Sequence, residues 1–351
     1  MGTKIAVLDD YQELSKPHFD RLRDAGYDVT TFTDTLLRYN HPDTPQEVKD
    51  ALVKRLEPFA IICTMRERTP IPAELIAQLP NLKLLLTTGR RNAALDVQAC
   101  RARGVPVAGT DAGAKRRGPN STTTHCVAMI LALARNVAQD DAVMKTGTGN
   151  GWQTEAATEL SGRVFGTVGL GRLGTSVAKI MNSAFGMRVV AWSSNLTQEA
   201  ADAKAREVGL PVEDEEDGEK TFKVVSWEEL FRTADVGLIT REDLAKMKKS
   251  ALFINTARGP IVNEAGLLEA ANSGSIRGVG LDVFVLEPLP HDSPWRTTRW
   301  GEEGRARVLL TPHMGYVEEG TMASWYEQQV ENILRWEKGE PLKAEFADSG
   351  Y

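Results

Sequence analysis

The chain has 351 residues, enough for roughly two domains of ordinary size, each with a sizeable core. Lys plus Arg total 42 against 48 for Asp plus Glu, and a formal net charge of −6 argues against nucleic acid as a bulk partner. Cys63, Cys100 and Cys126 are too few and too unevenly spaced for a disulfide framework or a zinc site, which fits a reducing, cytoplasmic compartment, and no apolar run has the length of a signal peptide core or a membrane span.

In chain order, the apolar run Lys4 to Leu8 predicts a strand, Leu14 to Ala25 has helical spacing, and Tyr27 to Phe32 predicts a second strand. The alternation continues with helices over 45–56, 72–78 and 95–103 and strands over 60–64, 82–87 and 105–108. This pattern points to an open parallel sheet covered on both faces. The stretch GTDAGAKRRGPN, residues 109–120, lacks periodicity and is the expected crossing between domains, its Lys115-Arg116-Arg117 run read as a solvated loop. Ser121 to Asn136 reads as a long apolar helix after polar capping residues, and Met144 to Thr158 as polar and irregular, with Trp152 as its one large anchor.

The centre of the chain is RVFGTVGLGRLGTSVAKIMNSAFGMRVVAWSSN, Arg163 to Asn195. An apolar run ends at Val168, Gly169, Gly171 and Gly174 follow at GxGxxG spacing, Leu173 to Phe185 is amphipathic, and Met187 to Trp192 is a second apolar run. In such a strand–turn–helix–strand unit the first glycine allows the tight turn, the second lets backbone approach a pyrophosphate, and the third lets helix pack against strand. Beyond it, the carboxylates of Glu213 to Asp217 read as a solvated acidic loop and not a metal site. Strands follow at 222–225, 236–240, 252–256, 279–283 and 308–311, with helices at 227–232, 264–273 and 320–338.

Ligands in such sheets bind beyond the carboxyl ends of the strands, which directs attention to Arg258, Glu287 and His313, each a few residues after an apolar run. As a set they suit one reaction. A guanidinium can clamp a substrate carboxylate and polarise an adjacent carbonyl, a histidine can deliver a proton near neutral pH, and a carboxylate on its other nitrogen fixes its tautomer.

The motifs VGLGRLG, NTARGPIVNEAGLLEA, GVGLDVFVLEP and LLTPHMGY, in that order, resemble the D-isomer-specific 2-hydroxyacid dehydrogenases, over nearly the whole chain. The resemblance implies an α/β fold of two doubly wound parallel-sheet domains, a Rossmann cofactor domain (113–313) inserted into a flavodoxin-like substrate domain (1–112 and 314–351), and usually a homodimer. It implies hydride transfer between NAD or NADP and a small 2-hydroxy or 2-oxo acid of D stereochemistry. By position, Arg258 is the substrate clamp, His313 the acid/base and Glu287 the residue that orients it. Gly169, Gly171, Arg172, Leu173 and Gly174 would cradle the pyrophosphate, Ala257 and Asp282 would meet the nicotinamide carboxamide, Thr256 would also bind the cofactor, and the turn Gly89-Arg90-Arg91-Asn92 would offer backbone N–H groups to the substrate carboxylate.

The chain departs from the family pattern in places. Ser193 stands where an acidic residue often binds the ribose hydroxyls, and a serine accepts NAD or NADP. Val236 joins Gly237 directly where relatives carry a further strand and loop, so that either 236–240 fills the strand position or the sheet has a gap; filling is favoured because a gap would strand backbone groups. Thr124 stands where the helix often has Glu, and the Arg90-Arg91 pair leaves open a substrate with a second negative group or a surface role. The insertion Asp292 to Arg307, with Trp295 and Trp300, reads as a surface loop or interface segment. The other reading, from a different class, is a nucleotide-sensing scaffold with little turnover, like the C-terminal-binding-protein corepressors.

Overall fold

The computed structural model describes residues 2–111, 118–148, 151–214, 217–237, 244 and 246–346. The chain divides into two compact units, one formed by Met1–Lys115 with Val317–Tyr351 and the other by Arg116–Tyr316. Both carry parallel sheets with helices between the strands, the mixed α/β fold that the alternating pattern predicts.

In the first unit, β1 (Lys4–Val7), β2 (Asp28–Thr31), β3 (Ile61–Thr64), β4 (Leu84–Thr87) and β5 (Val107–Ala108) form a five-stranded sheet in the order β2-β1-β3-β4-β5. β3 and β4 are buried at every residue, as expected of strands covered on both faces. Helices α1 (Lys16–Asp24), α2 (Gln46–Leu56), α3 (Ala73–Ala77) and α4 (Val97–Ala102) make the crossovers. The closing helix, Glu319–Glu337, returns to this unit and packs against α1.

The second unit begins with α5 (Ser121–Ala134), capped by the Asn120 side chain, which accepts from the Thr123 amide at 3.0 Å. The single long helix expected over 121–136 ends earlier. Asn136 adopts φ 59, in the left-handed region, and α6 (Val137–Thr146) starts behind it, so the first part of the stretch expected to be irregular is helical. Trp152, expected as an anchor, is 64% exposed.

The strands β6 (Val164–Val168), β7 (Arg188–Trp192), β8 (Phe222–Val224), β9 (Val236–Gly237), β10 (Leu252–Asn255), β11 (Gly278–Leu281) and β12 (Arg307–Leu310) form a seven-stranded sheet ordered β12-β11-β10-β9-β6-β7-β8. Strand order reverses between β6 and β9, the switch point at which such sheets bind ligands. Val236 pairs with Phe165 on one side and Leu252 on the other, and Gly237 with Phe253, so these two residues occupy the strand position; 238–240 lie outside the described residues. The Lys115-Arg116-Arg117 run and Glu215-Glu216 also fall outside them.

Helices α7 (Arg172–Phe185), α8 (Gln198–Glu207), α9 (Trp227–Thr233), α10 (Glu264–Ser273) and α11 (Pro294–Thr297) complete the unit, and α12 is Glu319–Glu337 in the first. The segment 292–307 runs over the surface, with Asp292, Arg296, Arg299, Glu302 and Glu303 exposed, but it is anchored from within. Trp295, 1% exposed, belongs to the core cluster with Phe253, Leu267 and Val279, and Trp300 packs at its margin.

Candidate active site

The glycine turn follows β6 at the switch point. Gly169 has φ +90, a conformation that other residues rarely adopt. A Cβ on Gly174 would lie 2.1 Å from the Gly169 carbonyl oxygen, so α7 can approach the turn only because that position lacks a side chain. Gly171 differs: it begins the helix as its N-cap, and nothing lies within 4 Å of a Cβ built there. Only a ligand that approaches this backbone would require glycine at that point. The Arg172, Leu173 and Gly174 amides open the helix and lack intrahelical acceptors. A cavity of about 540 Å³ lies against the turn, bordered by Gly169, Gly171, Arg172, Cys126, Thr256 and Ala257. Ser193 follows β7 directly and is half-buried. Turn strain, a glycine kept bare towards open space, and a cavity continuing to the end of β10 together fit a dinucleotide.

Beyond β10, Asn255 shapes the loop that carries Arg258. Its buried side chain donates to the Arg258 carbonyl at 2.9 Å and accepts from the Ala257 amide at 3.0 Å. The Arg258 guanidinium is exposed, with Nη1 donating to the Ala257 carbonyl at 2.7 Å. The next residue, Gly259, is pressed against the strand-end loop that bears Glu287. A Cβ there would fall 2.0 Å from the Phe284 carbonyl carbon and 2.5 Å from the Val285 nitrogen.

His313 and Glu287 come together, with Nδ1 and Oε2 2.8 Å apart and both side chains largely buried. Glu287 is held in turn, its Oε1 accepting from the Phe284 amide at 2.9 Å. The His313 ring lies edge-on to Tyr316 at 5.5 Å, and its backbone takes φ 54, a strained value for a non-glycine residue.

Asp282 secures that strained backbone. Its carbonyl accepts from the His313 amide at 2.7 Å, and its carboxylate accepts from the Met314 amide at 2.7 Å and the Gly315 amide at 3.0 Å. The same carboxylate accepts from Thr311 Oγ1 at 2.6 Å and pairs with His125 Nε2 at 3.1 Å. Burial alone would raise this carboxyl, but the hydrogen bonds from His125, Thr311 and Met314 outweigh it and hold the group below the usual carboxylate range. Beside the nicotinamide contact that the resemblance implies for Asp282, these bonds give its carboxylate the task of fixing the histidine loop. A single histidine on the second turn of an apolar helix carries no pattern that would mark His125.

In the first unit, the turn after β4 is shaped mainly by its own side chains. Gly89 has φ +85, and its amide is already committed to Thr110 Oγ1 at 2.8 Å, which removes it from the set expected to meet a carboxylate. Asn92 is buried and donates to the Arg66 carbonyl at 2.7 Å and Thr87 Oγ1 at 2.8 Å. Arg90 is bound to Asp111, whose carboxyl it holds below the usual range, while Arg91 is exposed.

Residues 127–315 match the family model described as D-isomer specific 2-hydroxyacid dehydrogenase, NAD binding domain. The chain is 34% identical over 272 residues to D-3-phosphoglycerate dehydrogenase of Mycobacterium leprae, covering 74% of this chain and 46% of that protein. It thus spans about half the length of the phosphoglycerate dehydrogenase it matches. Hydroxypyruvate reductase of Blautia hydrogenotrophica is 26% identical over 354 residues, covering 97% and 98% of the two chains. Among solved structures, phosphoglycerate oxidoreductase of Vibrio cholerae superposes with a TM-score of 0.77 at 30% identity, covering 96% of this chain and 99% of that one.

Proposed function

Because the chain belongs to the D-isomer-specific 2-hydroxyacid dehydrogenase family, we propose that it transfers a hydride between NAD or NADP and a small 2-hydroxy or 2-oxo acid of D stereochemistry. The observation that carries this reading is the His313 imidazole held 2.8 Å from the Glu287 carboxylate at the carboxyl end of the sheet. A nucleotide-sensing scaffold has no use for an imidazole held in this way.

The bound nicotinamide supplies the hydride or takes it up. With Nδ1 turned to Glu287, the His313 proton exchanged with substrate is the one at Nε2, given to the carbonyl oxygen in reduction and taken from the hydroxyl in oxidation. Arg258 binds the substrate carboxylate, a task for which a planar fork of donors is better suited than an ammonium. By the family resemblance, the backbone of Arg90, Arg91 and Asn92 offers N–H groups to a substrate carboxylate. The amides of Arg172, Leu173 and Gly174 hold the pyrophosphate, Ser193 meets the adenosine ribose, and Thr256 and Ala257 border the nicotinamide. We further propose a cytoplasmic homodimer, in keeping with three unpaired thiols and the family resemblance. Among the described residues no helix is long and apolar enough to cross a membrane.

The test is titration of the purified protein with NADH and with NADPH, then the nicotinamide absorbance after addition of glyoxylate, pyruvate, hydroxypyruvate and bulkier 2-oxo acids. Failure to bind either cofactor would end the proposal. Gly171→Ala is expected to keep the melting temperature, since its Cβ meets nothing, yet to weaken cofactor binding by about tenfold or more because that methyl stands where the pyrophosphate approaches. Unchanged affinity would remove the turn from the cofactor site. Ser193→Asp should weaken NADPH by about tenfold or more relative to NADH, through repulsion of the 2′-phosphate, as isothermal titration with each would read out.

A further inference from the structure

Two consecutive amides in the loop after β11 are each held by a carboxylate. Phe284 N donates to Glu287 Oε1 at 2.9 Å and Val285 N to Glu264 Oε2 at 3.4 Å. Glu264 is the first residue of α10, where the helix dipole favours a negative charge. Its other oxygen accepts from the indole Nε1 of Trp295 at 2.9 Å. Trp295 is the buried anchor of the inserted segment, and its carbonyl accepts from Trp300 Nε1 at 2.9 Å. A buried indole N–H without an acceptor costs about 1–3 kcal/mol, so the tryptophan fixes where the Glu264 carboxylate can lie.

We propose that Trp295 and Glu264 are positioning residues, which fix the 284–287 loop and thereby the orientation of Glu287 towards His313. The inference rests on the acid/base role given to His313 above. It assigns the insertion a part in proton transfer at a distance, through an indole, a carboxylate, two peptide amides and the Glu287 side chain. Each link is a hydrogen bond, of 2.8 to 3.4 Å, or the next residue along the chain. Glu287 and Tyr316 both lie against the His313 ring.

Trp295→Phe keeps most of the apolar volume and removes the N–H, while Glu264→Gln keeps the indole in place and removes the charge. Leu267→Ala serves as the control for loosened packing, because Leu267 lies in the same core cluster without a hydrogen bond to the relay. The readouts are the titration of the His313 ring protons by NMR, identified by their loss in His313→Ala, together with kcat and NADH affinity. Both relay variants are expected to move the ring titration midpoint by about half a pH unit or more, and to lower kcat about tenfold with NADH affinity within about twofold of wild type. Leu267→Ala should lower the melting temperature and leave the midpoint in place. The inference is overturned if the relay variants titrate like wild type, or if Leu267→Ala moves the midpoint as far as they do. A moved midpoint in a protein that turns over no 2-oxo acid would uphold the positioning role and refute the proposed function.

Discussion

His313→Ala is expected to lower kcat by about 10²- to 10⁴-fold while leaving NADH affinity within about twofold of wild type. In the proposed mechanism the ring exchanges a proton with the substrate oxygen, whereas the glycine turn assigned to the cofactor's pyrophosphate follows a different strand. Stability of the alanine form should fall, because it keeps the left-handed backbone and takes the His313 bond from a largely buried Glu287 carboxylate. The alanine loses a largely buried ring and its bond to Glu287, and His313 sits at φ 54, where a glycine would be relaxed; His313→Gly therefore separates strain from chemistry. Both variants should be inactive, with the glycine form at least as stable as the alanine form. Stopped-flow turnover and thermal melts measure the two quantities. Wild-type-like turnover in either variant would sink the acid/base assignment.

What could be read from the sequence was local. The glycine turn is specified by the spacing of Gly169, Gly171 and Gly174 between two apolar runs, and β6 and α7 stand there. Arg258, Glu287 and His313 were found by their position just past apolar runs. The 2.8 Å approach of two of them, 26 residues apart in the chain, required the sheet to bring the ends of β11 and β12 side by side.

What could not be read lacked a pattern. Helix α8 buries only Ala201 and Ala205, residues too small to mark an apolar face, and α6 has no buried residue at all, so neither gives the helical period. Trp295 and Trp152 occupy similarly polar stretches, yet one is enclosed in the core and the other stands in solvent; tertiary packing decided between them. The role of Asp282 depends on His125, 157 positions away, and on two amides after His313. An aspartate at the end of a strand does not announce such partners.

Gly259→Ala is the substitution expected to do most damage for its size. Its Cβ would sit 2.0 Å from both the carbon and the oxygen of the Phe284 carbonyl. These are backbone atoms, which cannot swing aside as the end of a side chain can. One of two segments must move: the turn at Gly259–Ile261, which carries Arg258, or the loop at 284–285, whose Phe284 amide holds Glu287. Either movement separates the carboxylate clamp from the acid/base pair. A displacement of about 1 Å in such a site costs on the order of 10²-fold in rate, so kcat/KM should fall at least that far. Overpacking of this kind costs about 1–3 kcal/mol, and at roughly 2–4 °C per kcal/mol for a unit of this size the melting temperature should drop measurably. NADH affinity should stay within a few-fold of wild type, because the glycine turn lies on another strand. Gly171→Ala is the converse case, with stability kept and cofactor binding weakened. If Gly259→Ala folds and turns over like wild type, the two loops do not constrain each other, and the coupling of Arg258 to Glu287 through this contact is wrong.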